Sequence, residues 1–407
     1  MAEFGCLYSE VLLTRNAWEK RKFVQMLNNS DGLRRGPFGS ALKKAFFVKE
    51  SSFVVYEQQN AIYDRFNTRY RISEKKFAEL HNFEVLPGDF LLSGAGTIGR
   101  IARVPKGIEQ GVFNQALIRL RINESMTDSE FFLQFIRSDF MQKNLTETNP
   151  GSAIQNLVPM SELKNWTVRT PVVNEQRKIG SLLKKIDSLI AATQHKIDAL
   201  EQIKEKLSQN LFDQSWRFKE YSTPWKENKL KDIVSAYSGG TPSANIRTYY
   251  GGHIPFIRSA EIHSSTTALT LTQEGLQNSS AKLVKTGDIL YALYGANSGD
   301  VDRSKINGAI NQAILAMRPS KENDPNFILF QLMRMKDKIV STYLQGGQGN
   351  LSGRLILALN LDMPESTLEQ RTIGRLLQLL CELIGVNQSK YSQLELLKKS
   401  LLQNLFV

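Results

Sequence analysis

Apolar residues recur at heptad spacing in two stretches of the chain, 175–212 and 369–406. In the first, Ile179, Ile186, Leu200 and Leu207 form one row, with Leu183, Ile190, Ile197 and Leu211 beside it. In the second, the same rows hold Ile373, Leu380, Leu394 and Leu401, then Leu377, Ile384, Tyr391 and Leu405. Neither stretch contains proline, and the spacing predicts two long amphipathic helices. Polar positions match as well: Thr193 with Asn387, Lys196 with Lys390, and Lys204 with Lys398. Matched polar residues in an apolar seam fix register and partner. The simplest packing therefore sets one stretch against the other.

The two stretches are copies. Aligned without a gap, they are identical at 19 of 38 positions. The segments before them also match, more weakly. Trp18-Glu19-Lys20 opens the first and Trp225-Lys226-Glu227 the second. Pro87-Gly88-Asp89-Phe90-Leu91 meets Thr286-Gly287-Asp288-Ile289-Leu290, and Asn114-Gln115-Ala116 meets Asn311-Gln312-Ala313. A helical run at 129–145 corresponds to one at 324–344, and Asn156-Leu157 corresponds to Asn350-Leu351. Between these landmarks the halves diverge. Short β-rich runs at 45–56, 89–93, 115–121, 289–294 and 313–317, bounded by Gly, Asn and Ser, predict α+β globular domains. The polar stretch 212–225 reads as a linker. The expected division is a globular domain at 1–170, a helical spacer at 171–213, a second globular domain at 214–364 and a second spacer at 365–407.

Composition narrows the class. The chain of 407 residues is 41% hydrophobic and 23% charged, as folded globular proteins are. It contains no apolar run long enough to span a membrane and no leader-like start. Cys6 and Cys381 lie near opposite ends, and the four histidines have no metal-site spacing. A cytoplasmic protein is expected. The net charge of +12 favours a polyanionic partner, and residues 15–76 alone hold 14 Lys/Arg against 6 Asp/Glu.

Candidate chemistry fails on context. Gly94-Ala95-Gly96-Thr97-Ile98-Gly99 has the dinucleotide-binding spacing, but the residues that follow are too few and too β-like for the required helix. The glycines read instead as a turn after a strand. No Gly-Lys pair and no Pro-Pro pair occurs, which excludes a phosphate-binding P-loop and the Asn-Pro-Pro-Tyr turn of amino-methyltransferases. Asp288 with Asp300, or Glu261 with His263, are pairs of a type common on surfaces. The reading is a binding protein without catalytic or metal residues. The alternatives are a DNA-binding nuclease or methyltransferase with its own catalytic site, or a coiled-coil adaptor that binds protein alone.

The whole pattern resembles the specificity subunits of type I restriction-modification enzymes. The resemblance spans essentially the full length, apart from the first fourteen residues. It is carried by Glu-Gln-Arg-x-Ile-Gly-x-Leu-Leu after Pro171 and Pro364, by Gln-Asn-Leu-Phe at 209–212 and 403–406, and by the Gly-Asp-x-Leu and Asn-Gln-Ala landmarks. It implies two target recognition domains, each reading half of a split double-stranded DNA target in the major groove. It implies that the two helices form an antiparallel coiled coil that sets the gap. It also implies two modification subunits that methylate adenine with S-adenosylmethionine, and restriction subunits that cleave with ATP. S-adenosylmethionine, ATP and Mg²⁺ would belong to those partners. Phosphate and base-edge contacts favour Lys, Arg, Asn and Gln. The candidate DNA contacts are Arg34, Arg35, Lys43, Lys44, Arg65, Arg69 and Arg71 in the first half, and Arg247, Arg258, Lys282, Lys285 and Arg303 in the second.

Overall fold

A computed structural model describes residues 18–146, 159–344 and 350–406. Cys6 and the Asn156-Leu157 landmark lie outside the described residues. The chain forms two compact units: Met1–Gln194 with Ser389–Val407, and His195–Gln388. Each unit therefore takes part of both long helices.

In the first unit, strand Glu19–Lys22 pairs antiparallel with Thr167–Thr170. One sheet has the order Leu33–Arg35, Leu117–Leu120, Phe90–Ser93, Ile101–Arg103, antiparallel throughout. A second has the order Phe47–Val48, Tyr70–Ile72, Phe53–Tyr56, Gly111–Phe113, with the last pair parallel. The β-rich run at 45–56 is thus two short strands. Ser51 Oγ accepts from Phe53 N at 3.1 Å and turns the chain between them. Helix Ser129–Arg137, capped by Asp128, buries Phe131, Phe132 and Phe135 against the first sheet and the long helices. The Gly94–Gly99 run joins Phe90–Ser93 to the antiparallel strand Ile101–Arg103, with Gly96 at φ +68° and Gly99 at φ +81°. It is a strand-to-strand turn, not the strand-to-helix turn of a dinucleotide site.

The second unit repeats this plan. Lys226–Lys229 pairs with Asn360–Met363. One sheet has the order Val234–Ser238, Ile314–Pro319, Ile289–Ala292, Val301–Arg303. The other has the order Thr270–Leu271, Tyr250–Ile257, Gly308–Ile310, Lys282–Val284, and again contains one parallel pair, Tyr250–Ile257 with Gly308–Ile310. Helix Pro325–Tyr343, capped by Asp324, occupies the place of Ser129–Arg137.

The landmarks have structural reasons. Gly88 and Gly287 take φ of +93° and +94°, a conformation that only glycine adopts without strain. The aspartate after each glycine closes its own turn, accepting from Leu86 N at 2.9 Å or Lys285 N at 2.8 Å. Each also receives a two-armed arginine, Asp89 from Arg121 just past strand Leu117–Leu120 and Asp288 from Arg318 in strand Ile314–Pro319. Asn114 and Asn311 each accept from the backbone N–H two residues on, at 3.1 Å, the usual asparagine-made turn.

The long helices are Val173–Phe212 and Thr367–Leu405. In the first unit, the start of one meets the end of the other. Ile179, Leu183, Ile186 and Ile190 share a core with Leu397, Leu401 and Leu405, and Asp187 Oδ1 pairs with Lys398 Nζ at 2.6 Å. In the second unit, Leu207 and Leu211 share a core with Ile373 and Leu377. Start against end in both units is antiparallel pairing. Ile197 and Ile384 are buried, while Leu200, Leu380 and Leu394 are half-buried. Thr193 and Asn387 are buried too, and each bonds to its own helix four residues back, at 2.7 and 2.6 Å. Among the described residues, no helix is long and apolar enough to cross a membrane.

Candidate nucleic-acid interface

Each unit is bolted to the start of a long helix by the same three residues. Glu175 accepts from Trp18 Nε1 at 3.0 Å, and Glu369 from Trp225 Nε1 at 3.2 Å. Gln176 accepts from Asp128 N at 2.9 Å and donates to Met126 O and Pro171 O. Gln370 accepts from Asp324 N at 2.9 Å and donates to Pro364 O. Both glutamines are buried, so these bonds replace water that cannot reach them. At Gly180 an added Cβ would lie 2.6 Å from Phe131 N, and at Gly374 one would lie 2.9 Å from Phe327 N. Glycine lets the long helix approach the capped end of the shorter one. The Phe of each Gln-Asn-Leu-Phe end completes the joint. Phe406 packs on Trp18 and Phe131, and Phe212 packs on Phe327, which also meets Trp225. The Glu-Gln-Arg-x-Ile-Gly and Gln-Asn-Leu-Phe motifs are thus joint residues. The heptad reading located the helices but carried no signal for these partners.

The candidate DNA contacts divide by what their side chains already hold. In the first unit Arg35, Lys43, Lys44 and Arg65 are exposed. Arg69 is exposed but pairs with Glu57 at 2.9 Å and lies over the Tyr70 ring. Arg71 pairs with Glu109 at 2.7 Å and donates to Ser51 O. Arg34 pairs with Asp31 at 2.9 Å. In the second unit Arg247, Lys282 and Lys285 are exposed. Arg258 is held by Glu261, which raises the Arg258 pKa. Arg303 donates to Gly287 O at 3.1 Å and Asn326 Oδ1 at 2.9 Å, tying two strands and a helix together.

The carboxylates considered for metal binding are engaged elsewhere. Asp288 holds Arg318, Glu261 holds Arg258, and Asp300 pairs with Lys336. His263 Nδ1 lies 2.9 Å from Asp302, a hydrogen bond that raises the imidazole pKa. Sequence reasoning missed Arg119, fully buried on strand Leu117–Leu120. It is held by Asp31 at 2.5 Å and by Glu84 O at 2.7 Å. Burial lowers its pKa.

Comparison with known proteins agrees with this architecture. The model of the type I restriction modification DNA specificity domain matches twice, at residues 43–202 and 222–396. The type I restriction enzyme MjaVIII specificity subunit of Methanocaldococcus jannaschii is 24% identical over 380 residues, covering 87% of each chain. The crystal structure of the type I restriction-modification S subunit from M. genitalium superposes with a TM-score of 0.65 at 17% identity, covering 96% of each chain. A chain from a structural study of assembly and conformational transition of the type I R-M system superposes with a TM-score of 0.54 at 16% identity, covering 96% of this chain and 97% of that one. Two matched specificity domains, the duplicated joints and the paired helices make this chain a member of the type I restriction-modification specificity subunits, a non-catalytic protein of DNA sequence recognition.

Proposed function

We propose that each unit reads one half of a split DNA target, and that the paired helices set the unread gap between the halves. The observation that supports this is the duplication: the joint residues recur in both units while the surface between them differs. Two readers of different half-sites on one scaffold need that combination. Exposed Arg35, Lys43, Lys44, Arg65, Arg247, Lys282 and Lys285 are the contacts we favour, because no acidic side chain among the described residues engages their charges. Two modification subunits and, in the full assembly, restriction subunits would dock on this scaffold. They would bring S-adenosylmethionine, ATP and Mg²⁺ and act in the cytoplasm, where the DNA is.

Domain replacement tests the reading. Residues 220–360 are exchanged for the corresponding domain of another family member, and methylated adenines are mapped in cells that also supply the modification subunits. The expected outcome is a changed half-site on one side and an unchanged one on the other. A change in both halves refutes the two-reader reading.

A further inference from the structure

In both units the Asn-Gln-Ala turn lies beside the loop that leaves the first sheet. Gly36 N donates to Leu117 O at 2.9 Å, and an added Cβ on Gly36 would meet Asn114 O at 1.9 Å and Gln115 Cα at 2.9 Å. In the second unit Gly239 N donates to Asn311 O at 3.2 Å, and a Cβ there would meet Ile310 O at 1.9 Å. The fold accounts for two residues of the turn. The asparagine closes it, and the alanine carbonyl accepts from Gly94 N or Leu293 N at 2.8 Å. The glutamine is left over. Gln115 and Gln312 are both exposed. Gln312 accepts from Thr241 Oγ1 at 2.7 Å, and Gln115 has no hydrogen-bond partner among the described residues.

The adjoining loop of the first unit carries Phe38, 89% exposed. The loop is pinned on both sides of this ring. Pro37 and Leu42 are buried, and Ala41 N donates to Phe38 O at 2.8 Å. A phenyl ring set out in water contributes nothing to the core. Exposed Arg35, Lys43 and Lys44 flank it, and residues 34–49 hold five Lys/Arg and no Asp/Glu. Cations neutralise phosphates, an exposed apolar ring packs against a base step, and a carboxamide hydrogen-bonds a base edge. Duplex DNA answers all three chemistries at once.

We infer that Phe38 seats against base pairs of the first half-site, with Gln115 on a base edge and Arg35, Lys43 and Lys44 on flanking phosphates. The inference rests on the two-reader proposal above and names the contact edge of its first reader. At the matching place the second unit carries Thr241 in place of the ring.

The test uses the full chain assembled with its modification subunits and a duplex carrying the target mapped by methylation. Binding is measured by mobility shift at several salt concentrations. Phe38→Ala is expected to bind roughly ten-fold more weakly, with an unchanged salt slope. Phe38→Trp is expected to retain binding. Lys43→Ala and Lys44→Ala should each reduce the slope by about 0.9. Gln115→Ala should lose discrimination at one base pair of the first half-site and leave the second half-site intact. Thermal unfolding of Phe38→Ala at the wild-type midpoint is expected, since the ring is exposed. Wild-type affinity and discrimination in both Phe38→Ala and Gln115→Ala overturn the inference while leaving the two-reader proposal standing. Loss of modification subunits from Phe38→Ala at unchanged DNA affinity assigns the ring to a protein contact, and also overturns it. A wild-type complex that methylates an unsplit target overturns both proposals.

Discussion

Asp31 lies among three guanidinium groups, at 2.9 Å from Arg34, 2.5 Å from Arg119 and 2.9 Å from Arg121. Burial alone would raise its pKa. The hydrogen bond from Arg34 and the charges of Arg119, Arg34 and Arg121 outweigh burial and hold it below the ordinary value of 3.8. A carboxyl depressed in the folded state contributes stability that is fully present above the ordinary pKa and lost as pH falls through the folded value. Asp31→Asn is therefore expected to be less stable than wild type at neutral pH. The gap should close on acidification below about pH 4, where the wild-type carboxyl takes up its proton. Urea unfolding of both proteins across pH measures it, and a gap that stays constant to pH 2 contradicts the assignment. This cluster also shows what a linear reading cannot see. Arg34 and Arg71 stood among the candidate DNA contacts by residue type. The partner of Arg34, Asp31, is only three residues away, whereas Glu109 comes beside Arg71 only because Phe53–Tyr56 pairs with both Tyr70–Ile72 and Gly111–Phe113.

The long helices were legible because their signal is local: apolar spacing and matched polar interruptions lie within one stretch. Their joints were not. Gln176 reads as one more polar residue until the cap of Ser129–Arg137 is folded against it. The copies also differ at one informative place. Asp187 pairs with Lys398 in the first unit. At the corresponding position of the second copy stands Cys381, facing Lys204. Burial raises the Cys381 pKa, and the charge of Lys204 opposes the rise. Cys381→Asp should thus recreate the ion pair of the first copy and stabilise the chain by about 0.5 kcal/mol, the scale of a partly exposed pair. Denaturant unfolding checks the gain. A double-mutant cycle with Lys204→Met should abolish it, and an equal gain without Lys204 contradicts the pairing.

At the scale of the molecule, each head grips two helices at once: Glu369 and Phe212 hold the second unit, and Glu175 and Phe406 the first. Lengthening one helix alone therefore sets the two grips out of step. An insertion of seven residues in both copies, after Gln194 and after Gln388, preserves the heptad seam and adds about 10 Å. The expected result is a methylated target whose two half-sites are unchanged and whose gap is longer by up to about three base pairs. The same insertion in one copy should abolish recognition. An unchanged gap with the double insertion removes the helices as the spacer.

The paired grips have a genetic consequence. The two helix copies are identical at 19 of 38 positions and align without a gap, so an exchange between them within the gene stays in frame. Such an exchange deletes one whole head and leaves a hybrid helix that begins with Glu175-Gln176 and ends with Phe406. That shortened product keeps both halves of the first unit's joint, but its own helix cannot fold back to present its end to its own head. Two such chains satisfy each other, start against end. The predicted heir of a single recombination event is a symmetric homodimer, and symmetry obliges it to read a palindrome.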